Sequence, residues 1–128
     1  MKIAVLVKQV PATADIEVDS ETGIIKRDSA KGKLNPFDLF AIETALSVCE
    51  DFGGEVTALS MGPASAAESL LESLHMGVEK AFLLSDPALA GSDVLATSAA
   101  IAGMIKALGG FDLIVCGKQT TDGDTAQV

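Results

Sequence analysis

The sequence predicts an α/β fold, a doubly wound three-layer sandwich built on a mainly parallel sheet. Three observations carry this. Short apolar runs alternate with longer amphipathic stretches, in the order strand, excursion, helix, strand, helix, strand, helix, strand. The first and last runs, "IAVLV" and "DLIV", lack polar alternation, as strands covered on both faces of a parallel sheet do. The composition is rich in small aliphatic residues and has no Trp or Tyr, which suits layered α/β packing better than an all-β sandwich. At 128 residues the chain is long enough for one core and too short for two, so residues 1–128 are read as a single domain.

The first strand is placed at Ile3–Val7. One Lys before an apolar run can imitate a signal peptide, but Lys8 ends the run and no small-residue cleavage site follows. From Pro11 to Leu34 the chain makes an excursion far longer than the roughly two to six residues usual between a strand and a helix. Its two alternating pieces, "ADIEVD" and "GIIKRD", flank "SETG" and suggest a small hairpin. The first helix follows in "NPFDLFAIETALSVCEDFGG", with Asn35 as cap, Pro36 at its first position and Gly53 as its stop. Phe37, Phe40, Ala41, Thr44, Ala45 and Val48 recur at helical spacing and are expected to face the core.

The second strand is Glu55–Ser60. Pro63 opens and Gly77 closes a second helix, whose expected stripe is Ala67, Leu70, Leu71 and Leu74. The third strand is Lys80–Leu84. Ser92 or Asp93 caps the third helix, which lines up Val94, Thr97, Ile101, Ile105 and Leu108. The fourth strand, Asp112–Val115, empties into "CGKQTTDGDTAQV", a polar, threonine-rich segment.

Charge and composition exclude several functions. With 18 acidic and 9 basic side chains the net charge is -9, which repels phosphate backbones and excludes nucleic acid as the principal partner. Every apolar run is interrupted within a few residues, so no membrane insertion is expected. Cys49 and Cys116 make neither a disulfide framework nor a metal-ligand spacing, which fits thiols in a reducing cytoplasm. There is no G-x-G-x-x-G fingerprint after the first strand, no phosphate-loop motif, no nucleophile elbow and no His or Cys cluster. His75, the sole histidine, reads as a packed or solvent-facing helical residue, and no catalytic residue is assigned.

In open α/β sheets, ligands gather outside the carboxyl ends of the strands, where helix N-termini offer free N–H groups. Five segments of this chain fall at that edge: "VKQVP", "NPFD", "SMGP", "SDPALAGSD" and "CGKQTTDGDTAQ". Lys8 is able to neutralise a phosphate, and the glycine of "SMGP" permits close backbone approach. Ser92, Asp93 and Thr97 at a helix start could hold a pyrophosphate, although ordinary capping fits them equally well. Spacing alone supports a small-molecule or nucleotide site at one sheet edge.

Taken together, "VKQVPATADIEVD", "NPFDLFAIETAL", "VTALSMGPASA", "GSDVLATSAAIA" and "DLIVCGKQTTDGDTAQV" resemble the beta subunit of electron-transfer flavoproteins, in order and over the whole chain. The resemblance implies a Rossmann-like, adenine-nucleotide-binding domain that pairs with an alpha subunit and serves an acceptor dehydrogenase. It implies a nucleotide in the beta subunit: FAD in electron-bifurcating members, with NADH as donor, or AMP in simple carriers. "VKQVPAT", "SDVLATS" and "DGDTAQV" look like the bifurcating, FAD-binding type. Carried over by position, Leu6, Val7 and Lys8 would line the adenosine end. Asn35, Pro36, Phe37 and Asp38 would contact the nucleotide from the first helix start, with Met61 beside it. Asp93 and Thr97 would lie near the pyrophosphate or NADH. Gly117, Lys118, Gln119, Asp122, Gly123, Asp124, Thr125, Ala126, Gln127 and Val128 would wrap the phosphates. A carboxylate beside a phosphate is repulsive, so Asp122 or Asp124 is expected to bond ribose or cap backbone instead.

Members of that family continue past "DGDTAQV", so the sequence is expected to be an N-terminal portion, truncated at its C-terminal end and redox-active only as a heterodimer. Such a piece is expected to hold flavin weakly or not at all, and residues from about Thr120 onward are expected to be poorly ordered or bent from their working position, because nothing downstream fixes them. Two other readings stay open: a structural AMP-binding beta subunit, and a regulatory adenine-nucleotide module of the stress-protein kind. The second generally carries a glycine-rich phosphate loop that "GKQTTDGD" does not supply.

Overall fold

The computed structural model describes residues 1–12, 20–21 and 32–128. Its elements are β1 (Lys2–Leu6), β2 (Gln9–Pro11), β3 (Gly32–Leu34), α1 (Pro36–Phe52), β4 (Glu55–Met61), α2 (Ala67–Met76), β5 (Lys80–Leu84), α3 (Val94–Ala107) and β6 (Leu113–Cys116). Four strands form a parallel sheet in the order β5-β4-β1-β6, with Ile3 opposite Val56 on one side and Leu113 on the other. The expected α/β architecture is therefore present, with the main strands within one residue of their expected places. The hairpin expected from "ADIEVD" and "GIIKRD" lies outside the described residues. What closes the base of that excursion is a short antiparallel pair, β2 with β3, in which Val10 faces Lys33.

The chain steps outward from β1 to β4 to β5 and then returns across the sheet to β6. Right-handed crossovers therefore put α1 and α2 on one face and α3 on the other. The return also fixes a switch point between β1 and β6, where strand order reverses. The core lies on the α1–α2 face, where Ile3, Val5, Val56 and Ala58 pack against Ala41, Ile42, Ala45 and Leu70. No helix among the described residues is long and apolar enough to cross a membrane.

Two helix faces differ from expectation. In α1 the buried residues are Asp38, Ala41, Ile42 and Ala45, while Phe40 is 71% exposed and Thr44 is exposed. The helix is turned by about one residue, roughly 100°, from the face that apolarity alone selects. The turn buries Asp38 against the end of β1, where its carboxylate has a partner. In α2 the buried positions are Ser69, Leu70 and Ser73, and Leu71 and Leu74 face outward. Close packing against the sheet favours small side chains there, and the Ser73 hydroxyl donates to the Ser69 carbonyl at 3.1 Å, so its burial leaves nothing unpaired. The third stripe is as expected: Val94, Thr97, Ile101, Ile105 and Leu108 are all half-buried.

Helix ends follow the sequence signals with two exceptions, the first being that α2 begins at Ala67 and not at Pro63, because a 3-10 turn, Ala64–Ala66, comes between. Gly53 ends α1 with a positive φ and donates to Cys49 O at 2.7 Å, and Gly77, with φ 119, closes α2. Asp93 caps α3 by accepting from Ala96 N at 2.7 Å. Asn35 precedes α1 but its side chain makes no capping bond; the amide is used elsewhere.

Candidate functional site

The site is assembled where β1, α1 and β6 meet at the carboxyl edge. Val7 N donates to Leu59 O at 2.9 Å, which carries the β1 ladder one residue past its end and aims Lys8 over that edge. Lys8 N then donates to Asp38 Oδ2 at 2.8 Å, and Asn35 N donates back to Lys8 O at 2.9 Å. The start of α1 is thereby tied to the end of β1 from both directions.

The segment after β6 is tied to the same point. Asn35 is fully buried, and its side-chain amide spans the backbone of two residues: Nδ2 donates to Gln119 O at 2.8 Å and Oδ1 accepts from Thr121 N at 3.2 Å. Lys8 Nζ reaches Asp122 Oδ1 at 3.0 Å and Oδ2 at 3.1 Å. Asp122 Oδ1 and Thr120 Oγ1 both accept from Gly123 N, and Asp124 N donates to Thr120 O, which closes the segment into a turn. A Cβ at Gly117 would lie 2.5 Å from Asp38 Oδ1 and 2.9 Å from the Phe37 carbonyl, so only glycine lets β6 leave the sheet this close to α1. Asp124 and Ala126 hold positive φ values of 56° and 54°, a conformation that costs an alanine about 1 kcal/mol.

The charges around this junction are uneven. Burial pushes Asp38 up to about 6, against the opposing effects of the Lys8 N–H, the Asn35 side chain and the Lys8 charge. Burial also raises the Cys116 thiol, and the neighbouring Asp38 carboxylate adds to the rise, so this cysteine is a poor nucleophile. For Asp122, partial burial is outweighed by Lys8, Thr120 and Gly123, and the carboxyl is held below the usual range.

The residues singled out in the sequence divide into four groups. Lys8, Asn35, Asp38, Gln119, Asp122, Gly123 and Asp124 are brought together by the bonds above, and Gly117 by its close approach to Asp38 and Phe37. Leu6, Pro36, Phe37 and Met61 are half-buried at the ends of their elements along the same edge, Val7 is buried, and Lys118 is exposed. Thr125, Ala126, Gln127 and Val128 are exposed beyond the turn. Asp93 and Thr97 bond within α3, where Thr97 N donates to Asp93 O at 2.9 Å, and among the described residues none of their hydrogen bonds reaches the cluster. Asp122 caps backbone, as one branch of the expectation had it, and also pairs with Lys8. The expectation that residues from about Thr120 onward are poorly ordered is corrected as far as Asp124, because bonds from upstream, through Asn35 and Lys8, hold the turn. Thr120 and Thr121 complete the turn but were not among the individual site residues. Nothing local in the sequence announces a bond that spans 86 positions.

This arrangement defines a class: a doubly wound α/β protein whose polar cluster sits at the switch point of its sheet. The particular family follows from comparison, since residues 22–128 match the electron transfer flavoprotein domain, and the chain belongs to that family. It is similar to protein FixA of Azorhizobium caulinodans, 48% identical over 132 residues that cover 100% of this chain and 47% of FixA. It is 45% identical to the electron transfer flavoprotein subunit beta of Clostridium acetobutylicum, with 100% of this chain and 49% of that protein covered. A third relative is the caffeyl-CoA reductase-Etf complex subunit CarD of Acetobacterium woodii, 46% identical over 100% of this chain and 49% of CarD. The chain spans about half the length of these relatives.

Proposed function

We propose that the protein is an electron-transfer flavoprotein beta subunit that binds a nucleotide where β1, α1 and the segment after β6 converge. The observation that carries this reading is the position of the cluster. It lies at the reversal of strand order, the place where open α/β sheets bind ligands. The donor set fits a nucleotide. Lys118 and the hydroxyls of Thr120, Thr121 and Thr125 suit phosphate oxygens, as does Lys8 where a phosphate replaces its Asp122 partner. Half-buried Leu6 and Met61 suit the face of a flat ring. Asp93 and Thr97 would contribute from the start of α3.

FAD is the favoured nucleotide, with AMP as the alternative. When bound, the flavin would supply the redox chemistry, taking a hydride from NADH and releasing electrons singly. The chain's own residues hold and orient the nucleotide, and Lys8 offsets phosphate charge. As a cytoplasmic heterodimer with an alpha subunit, the protein would pass electrons between NADH or acyl-CoA-type dehydrogenases and their acceptors, by bifurcation if FAD occupies the beta site. One relative is named as a subunit of a caffeyl-CoA reductase-Etf complex, which supports a dehydrogenase-type partner.

The test is co-expression of the full-length gene with its alpha-subunit gene, followed by a count of bound flavins per heterodimer. Two flavins, with bleaching by NADH, are expected. One flavin together with AMP would move the reading to the simple carrier. A nucleotide bound without flavin or partner would overturn it in favour of a regulatory module.

A further inference from the structure

We propose that Asn35 is the positioning residue of this site, acting through the backbone of Gln119–Thr121 rather than by touching the ligand with its own amide. The proposal rests on the nucleotide-site reading above and departs from the sequence expectation that Asn35 contacts the nucleotide.

Every polar group of Asn35 already has a partner inside the protein. Its N–H donates to Lys8 O and its carbonyl accepts from Asp38 N, both at 2.9 Å. Its side-chain amide accepts from Thr121 N, donates to Gln119 O and also stabilises the Asp38 carboxylate. With the residue fully buried, none of its polar atoms lacks a partner that a ligand would have to supply. The pattern copies a strand partner: one acceptor and one donor read the N–H and C=O of residues two apart. This fixes Thr120, between the two bonded residues, and aims Asp122 at Lys8. An aspartate at position 35 could accept from Thr121 as before, but its second oxygen would face the Gln119 carbonyl. Only the protonated acid could donate there.

That asymmetry supplies the test. In the full-length heterodimer, AMP and FAD binding are measured by calorimetry for the wild type, Asn35→Ala and Asn35→Asp at pH 8 and pH 5.5. Exchange of the Thr121 amide is followed in parallel. Asp38 from α1, Lys8 from the end of β1, and Cys116 and Asp122 from β6 and beyond it also face this junction, so each variant is scored as a ratio to wild type at the same pH. Asn35→Ala is expected to weaken binding about 10- to 100-fold at both pH values and to speed Thr121 exchange. Asn35→Asp is expected to lose as much at pH 8 and to recover most of it at pH 5.5. Equal loss at both pH values for Asn35→Asp, or unchanged Thr121 exchange in Asn35→Ala, would overturn the proposal. Failure of both variants to fold at either pH would overturn it as well, because the residue would then serve the fold alone. If wild type binds neither AMP nor FAD, the nucleotide reading fails, and the exchange of Thr121 still decides whether Asn35 holds the segment.

Discussion

The two faces of the sheet are finished differently. On one, α1 buries Ala41, Ile42 and Ala45 almost completely and its first turn is bonded into the site. On the other, α3 is the more uniformly apolar helix, yet none of its residues is fully buried and Leu95 is 77% exposed. Apolar content therefore does not rank these helices by packing. What distinguishes α1 is that its N-terminus is tied to the ends of two strands at once. The contrast teaches that stability and site geometry share the α1 face, while α3 closes the sandwich more loosely.

The sharpest way to break this comparison is to truncate matched isoleucines. Ile42→Ala removes a fully buried side chain from the centre of the core and is expected to cost about 2–5 kcal/mol in chemical denaturation. Ile101→Ala, in the half-buried stripe of α3, is expected to cost about 1 kcal/mol, because less area is lost and the site can collapse. Equal costs would mean that α3 is packed as firmly as α1.

A pair of glycines sharpens it further. Gly117→Ala would place a methyl group against Asp38 and the Phe37 backbone, and it is expected to destabilise by about 1–3 kcal/mol. Gly103 lies within α3 with open space around it, so Gly103→Ala is expected to stabilise by about 0.5–1 kcal/mol through helix propensity. Thermal melts of the two proteins should move in opposite directions.

These positions also show what the sequence could and could not tell. Alternating runs and terminal signals placed the strands and most helix ends correctly because they depend on local physics: Pro36 at a first turn, Gly53 and Gly77 at stops, Asp93 at a cap. The carboxyl edge was legible as the candidate site because parallel topology alone puts Lys8 and Gly117 there. The helix faces of α1 and α2 were not. A sequence reading ranks Phe40 above Asp38 and Leu71 above Ser73 as core, whereas Asp38 meets its partner, Lys8 N, only once distant segments come together, and Ser73 is small enough to pack close to the sheet with its hydroxyl satisfied within the helix. Asn35 is the clearest case. An asparagine before a proline at a helix start reads as a cap, yet its side chain answers to the backbone of Gln119 and Thr121.

A further expected effect is a pH dependence confined to α1's tie to β1. Asp38, with an ordinary value of 3.8, is pushed up to about 6 mainly by burial. The folded protein thus keeps a proton that the unfolded chain releases between those two values. The stability this contributes is fully present below about pH 4 and is lost as pH rises through about 6. An Asp38→Asn protein keeps an acceptor for the Lys8 N–H and has no charge to desolvate. Relative to wild type it should be unchanged near pH 4. Above pH 6.5 it should gain on the order of 1–2 kcal/mol, the shift being discounted for solvent screening. Denaturation curves at the two pH values measure the difference directly. A loss of stability on substitution at high pH would show that attraction between the Asp38 carboxylate and Lys8 outweighs the cost of burying it, and that the α1 end of the site is held by charge rather than by packing.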